Sequence, residues 1–178
     1  VKDDDFVIAF TGSFIHRKGS QRLAEAVNKL KDPQIRVMFI GKKMPADDAT
    51  PSCNGICFMG TLEHDMIPAY LKSADVFCLP TLNEGCSNAI VEALSCGLPV
   101  ISSDRPFNQD VLDISNSILI DPMSVDEMAS AILRLKEDRC LRQKLSEGAK
   151  KKAVSLRLDV RTSNIIDFIN KQRLSEKS

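Results

Sequence analysis

The stretch LPTLNEGCSNAIVEALSCGLPVISSD, residues 79–104, leaves an apolar run, crosses a short loop, enters a helix-like segment and returns to an apolar run. Strand, helix and strand in that order make a crossover unit, the building block of a parallel sheet. Residues 86–97 are expected to be the helix, closed by Gly97, since glycine just past a helix adopts the left-handed conformation without strain. Ser87 or a neighbour can cap its start, leaving the amides of Gly85, Cys86, Ser87 and Asn88 open to an anion. The same segment carries two glutamates, Glu84 and Glu92, eight positions apart. A carboxylate among apolar neighbours is costly unless it is paired. At 1.5 Å per residue Glu92 lies about 12 Å beyond Glu84, a spacing that suits two regions of one elongated ligand such as a nucleotide sugar. The plainer alternative has Glu92 paired with a neighbouring lysine or arginine and Glu84 exposed in a turn.

Working outward, the same succession repeats. FVIAFTG (6–12), IRVMFIG (35–41), ICFMG (56–60), DVFCLP (75–80), LPVISS (98–103) and SILID (117–121) are the expected strands, with helical patterns such as GSQRLAEAVNKLK (19–31) and DMIPAYLKSA (65–74) between them. Several of the runs are nearly continuous in apolar residues, which strands covered on both faces require. The expected fold is α/β: a doubly wound, Rossmann-like parallel sheet of about six strands flanked by helices. The last third differs, with residues 124–136, 139–154 and 161–174 forming successive helices. In the last of these, Ile165, Ile166, Phe168 and Ile169 need a partner surface, either this domain's own core or another domain.

With 178 residues the chain is expected to be one domain, 1–178, able to fill a core without disulfides or metals. Lys plus Arg (24) balances Asp plus Glu (24), which argues against a nucleic-acid-coating protein. The basic group Lys144, Lys150, Lys151 and Lys152 is interrupted by Glu147 and reads as a solvated helix face. No run approaches the roughly 18 apolar residues of a membrane span and no signal peptide opens the chain, so a cytoplasmic domain is expected. Beginning at Val1 and entering its first strand almost at once, the chain is expected to be a piece cut at a domain boundary. Of the six cysteines, Cys78, Cys86, Cys96 and Cys140 fall in expected strands and helices and are read as reduced, mostly buried thiols. Cys53, Cys57 and His64 lack zinc-site spacing and an obvious fourth ligand, so no metal is expected.

An open parallel sheet binds ligands at the carboxyl ends of its strands. Besides residues 79–88, one other loop there is chemically marked: TGSFIHRKGS (11–20), which delivers Lys18 beside a helix start, a setting that suits an oligophosphate. An ordinary surface lysine is the alternative. His16 is read as a surface group and His64 as the start of a helix.

These segments together resemble the donor-binding, carboxyl-terminal half of the GT-B glycosyltransferases, specifically the large retaining family 4. The family's two glutamates separated by seven residues appear as EGCSNAIVE (84–92), followed by ALSCGLPVISSD, and its glycine, basic and Lys-Gly loop as GSFIHRKG (12–19). FMGTLEHDMIPAYLKSADVFCLPT and NSILIDPMSVDEMASAILRLKEDRCLRQKL extend the likeness over nearly the whole chain. The resemblance implies that Lys18, with Gly12 and Ser13 in its loop, contacts the donor diphosphate, that Glu92 accepts hydrogen bonds from the ribose, and that Glu84 with Gly85, Cys86, Ser87 and Asn88 faces the diphosphate and the transferred sugar. Gly60, Thr61 and Leu62 would lie along the base. Many members carry an arginine where this chain has Ser13, and Arg17 or Arg105 is the candidate replacement.

The activity so implied is transfer of a sugar from a nucleoside-diphosphate sugar to an acceptor hydroxyl with retained configuration, in polysaccharide or glycoconjugate synthesis. Lys18 and a helix N-terminus would stabilise the leaving group without a metal or other cofactor, and Glu84 is the other implied catalytic residue, facing the transferred sugar. The implied partners are the nucleotide sugar and an amino-terminal acceptor-binding domain of the same protein, with no nucleic acid; the full-length enzyme would sit in the cytoplasm, at the inner membrane face. Lacking that acceptor domain, the chain alone would transfer no sugar. A GT-B-like nucleotide-sugar epimerase and a non-catalytic nucleotide-binding module, which Ser13 would fit, are the other readings.

Overall fold

The computed structural model describes residues 2, 4–85 and 87–175. Its strands are β1 (Phe6–Thr11), β2 (Ile35–Ile40), β3 (Ile56–Gly60), β4 (Val76–Leu79), β5 (Val100–Ser103) and β6 (Ser117–Ile120), in the order β3-β2-β1-β4-β5-β6. Every pairing is parallel. Each strand lies within the run expected for it, because an apolar stretch of four to six residues between polar loops has only the sheet interior to enter. All residues of β1, β4 and β5 are buried. The edge strands β3 and β6, each with one neighbour, are less covered, and in β3 Phe58 is 49% exposed. Phe10, Phe39 and Phe77 are wholly buried, each contributing about 1.5–3 kcal/mol relative to exposure.

The helices are α1 (Ser20–Leu30), α2 (Ile67–Leu71), α3 (Asn88–Ser95), α4 (Val125–Glu137), α5 (Arg139–Ser155) and α6 (Leu158–Ser175). Right-handed crossovers leaving β1 and β4 in opposite directions put α1 and α3 on opposite faces of the sheet. There α1 packs with α4 and α3 with α5. Ser124 caps α4 by accepting from the Glu127 amide at 3.2 Å, and Asp138 caps α5 through the Leu141 amide at 2.8 Å. Gly97 closes α3 as expected: at φ +76° its amide reaches the Leu94 carbonyl, while the Leu98 amide reaches Ala93, two bonds that together satisfy the helix's last carbonyls. Only α2 is much shorter than the 65–74 expected; the Ser73 hydroxyl takes the Tyr70 carbonyl at 2.7 Å, a local bond that competes with continuing the helix.

One expectation needs correction, and one open alternative is decided. Cys78 is buried, and burial raises its thiol pKa, but Cys53 and Cys96 are half-buried and Cys140 is exposed. Burial, with Cys57 adding to it, still pushes the Cys53 thiol up to about 11. Cys86 lies outside the described residues. In α6, Ile165, Ile166, Phe168 and Ile169 are all exposed, so this domain's core does not cover them. Among the described residues, no helix is long and apolar enough to cross a membrane.

The start of α1 is pressed against the end of β4 through Gly19. Its φ is +80°, and a Cβ there would come 2.5 Å from the Pro80 carbonyl oxygen. Gly19→Ala therefore meets both a disfavoured backbone and a collision with main chain, and is expected to lower unfolding free energy by about 2 kcal/mol or more, read as a shift of the urea midpoint at unchanged slope.

Candidate functional site

Strand order reverses between β1 and β4, so the loops leaving their carboxyl ends part to opposite faces and leave a crevice. In the first loop a single 3-10 turn, His16–Lys18, places three basic residues in succession before Gly19. The second loop runs from Pro80 to α3. Backbone and side chains join the two: the Leu82 amide donates to the Arg17 carbonyl at 2.8 Å, and the Arg17 guanidinium donates to the Asn83 carbonyl at 2.5 Å.

Glu84 is where the loops converge. Its Oε1 accepts from the Lys18 ammonium, from Arg17 at 3.2 Å and from the Thr81 hydroxyl at 3.3 Å. The Glu84 and Lys18 side chains are 13% and 17% exposed. Neither plain alternative holds: Glu84 is not a bare turn residue and Lys18 is not a free surface lysine. Two cations on one carboxylate leave this cluster with a net charge of +1, which favours an arriving anion. At the end of β1, beside Gly12 and half-buried Ser13, Thr11 is buried with its hydroxyl unpaired among the described residues.

Glu92 stands on the second turn of α3. Its partner within ion-pair distance among the described residues is the His64 imidazole, with Nδ1 3.8 Å from Oε1, rather than the lysine or arginine of the plainer reading. His64 sits in the turn after β3, not at a helix start, close behind the exposed Gly60 and Thr61 and half-buried Leu62. Thus Glu92 faces the β3–α2 loop while Glu84 faces the β1–α1 loop. Between them the amides of Gly85, Ser87 and Asn88 donate to no acceptor among the described residues. Ser87 occupies the N-cap position of α3, but its side chain makes no capping bond, which corrects the sequence reading and leaves those amides open.

Of the candidates to replace an arginine at Ser13, Arg17 is in the cluster, whereas Arg105 pairs with Asp121 beyond the end of β6 at 3.2 Å. His16 lies against Asp47, Nε2 to Oδ1 at 3.7 Å, with its imidazole largely exposed.

Sequence reasoning missed the groups that hold the loops. Arg22, on the first turn of α1, donates to three carbonyls from three separate segments: Pro122 at 2.8 Å, His16 at 3.0 Å and Pro80 at 3.0 Å. Burial lowers its pKa, but a guanidinium stays charged through any physiological range. Under the second loop, Ser102 donates to the Leu79 carbonyl at 2.8 Å and Ser103 to the Thr81 carbonyl, while the Asn108 amide donates to Ser102 at 3.2 Å and to the Ser103 carbonyl at 2.7 Å. Two serines ending an apolar strand were the available signal, since buried hydroxyls require partners.

A family model described as glycosyl transferases group 1 matches residues 5–138. The chain is 28% identical over 144 residues to the putative teichuronic acid biosynthesis glycosyltransferase TuaC of Bacillus subtilis, covering 81% of this chain and 36% of that protein. Sucrose-phosphate synthase from Thermosynechococcus elongatus superposes with a TM-score of 0.81 at 21% identity, over 99% of this chain and 47% of its own. HepE of Anabaena, solved in complex with UDP and glucose, superposes with a TM-score of 0.79 at 22% identity, over 94% of this chain and 48% of its own. The chain thus spans less than half the length of each.

Because one guanidinium satisfies three carbonyls, Arg22→Ala is expected to cost about 2–4 kcal/mol in urea denaturation, with Arg22→Lys no better than halfway restored, since an ammonium cannot span that fork.

Proposed function

The chain belongs to the glycosyl transferases group 1, and from that premise we propose that it is the carboxyl-terminal, donor-binding domain of a retaining GT-B glycosyltransferase. The donor would be a nucleoside-diphosphate sugar and the acceptor a hydroxyl held by an amino-terminal domain of the same protein. The observation that carries this reading is the convergence of Lys18, Arg17 and Glu84 on the crevice between β1 and β4.

A diphosphate entering that crevice would meet an ammonium and a guanidinium already oriented by one carboxylate, so little side-chain ordering would remain to oppose binding. Lys18 and Arg17 would bear the charge that develops on the departing nucleoside diphosphate, joined by the open amides of Gly85, Ser87 and Asn88. Glu84 would hold both cations and reach the transferred sugar. Some two turns along, Glu92 would take the ribose hydroxyls, with the base laid along Gly60, Thr61 and Leu62. Arg17 supplies the cation that Ser13 does not, which favours a donor-competent domain over an inactive module. With two cations aimed at the phosphates, no divalent metal is assigned a part. On this reading the full protein would work in the cytoplasm, at the inner membrane face, in polysaccharide or glycoconjugate synthesis.

Calorimetric titration with UDP, GDP and ADP in EDTA tests the site. One nucleotide is expected to bind saturably, with Lys18→Ala and Glu92→Ala each weakening it about tenfold or more; binding indifferent to both substitutions would sink the assignment. A second expectation concerns chemistry: the 178-residue chain turns over no nucleotide sugar in the presence of acceptor, and the complete protein does. Transfer by the chain alone would refute the division of labour between domains.

A further inference from the structure

The amino-terminal edge of the sheet, opposite the Lys18–Glu84 crevice, carries a cavity of about 500 Å³ between the starts of β4 and β5, the ends of α2 and α3, and one face of α5. That volume lies within the roughly 300–1,000 Å³ of small-ligand sites. Four cations line it: Lys72, Arg139, Arg142 and Lys150. Three of them, with Gln143, recur at helical spacing along α5, so one face of that helix is turned to the cavity. A single carboxylate, Asp75, shares the lining, and its Oδ2 is taken by the Val7 amide at 2.8 Å.

The four cations there are gathered around one space with no carboxylate paired to any of them among the described residues. Elsewhere Arg17, Lys18, Lys29, Arg36, Lys43, Arg105, Lys136 and Arg157 each meet a carboxylate. Among the described residues, none of the four cavity cations is within salt-bridge distance of one. Two have structural work: Arg142 donates to the Leu135 and Lys136 carbonyls at 2.5 and 2.8 Å with its guanidinium 5.5 Å from the Phe6 ring centre, and the Lys150 chain lies over Gly97 at the end of α3. Those contacts fix their positions without neutralising them. Among the described residues Lys72 and Arg139 have no such tie, and both are exposed. Four like charges around one concave space repel one another, and a multivalent anion removes that repulsion while offering oxygens to the guanidinium forks.

We propose that this cavity is a second anion site, separate from the donor crevice, that takes a small soluble phosphorylated molecule. Its polar, cationic lining suits phosphate rather than an apolar group. The proposal is independent of the donor reading, because the two sites share no residue and lie at opposite ends of the strands.

The test is a titration of the ¹⁵N-labelled chain with inorganic pyrophosphate at constant ionic strength, following backbone amides. Saturable shifts are expected at Lys72, Gly97, Arg139 and Gln143. The double substitution Arg139→Ala/Lys150→Ala, at exposed side chains, is expected to weaken those shifts about tenfold while leaving the circular dichroism spectrum and any shifts around Lys18 as they were. Lys18→Ala is expected to do the reverse. Shifts at Lys72 and Gly97 that survive the double substitution, that are matched by sodium chloride at equal ionic strength, or that never appear would overturn the proposal.

Discussion

The architecture turns on the adjacency of β1 and β4. Neither follows the other in sequence, yet they lie side by side, register Ile8 with Val76 and Ala9 with Phe77, and the chain winds away from them in opposite directions. Parallel pairing points both carboxyl ends the same way, so both outgoing loops emerge on one rim. Everything polar at that rim then works to keep the loops from separating: the Leu82 to Arg17 backbone bond, the three carbonyls held by Arg22, and the serines and asparagine beneath Thr81. The sheet interior supplies apolar burial, which has no direction of its own. Hydrogen bonds supply the direction.

Glu84 has two physical roles that are in tension. A partly buried carboxylate bearing two cations is a stable arrangement that an incoming diphosphate must share or displace. The same carboxylate prevents two cations from repelling each other in the unliganded protein. An apolar residue there would leave Lys18 and Arg17 uncompensated and unaimed. Glu92 has no such burden, being more exposed and, among the described residues, faced by His64 across 3.8 Å.

The fold was legible because burial on both faces writes itself into the sequence: β1, β2, β4 and β5 read as near-continuous apolar runs, and all six strands fell where those runs predicted. β3 was legible in position but not in environment, since a run such as ICFMG looks alike whether one face or both are covered, and only its place at the sheet's edge exposes Phe58. At the site, Lys18 and Glu84 could be singled out by type and context, but their contact spans 66 positions, and no local pattern encodes it. Arg22 was overlooked for the same reason. On a helix face of mixed polarity it resembles any solvated arginine, and its importance lies in three distant carbonyls. His64 was misplaced because α2 begins later than its pattern suggested, so a residue expected to open a helix instead sits in a turn against Glu92.

The separation of β1 from β4 also has a consequence for the order of events during synthesis. Within this sheet, synthesis from the amino terminus presents β1, α1 and β2 before β4, and these can pair at once. One whole edge of β1, a strand with all six residues buried in the finished protein, then has no neighbour until β4 has been made. Over that interval the nascent chain carries an apolar, hydrogen-bond-hungry edge of the kind that recruits other strands. Closing it requires a contact between Val7 and Asp75, 68 positions apart, so the central pairing of the mature sheet is a late and nonlocal step. The rim where the two loops meet therefore comes into being only with the arrival of the second half of the sheet, and cannot be inherited from a partly made chain.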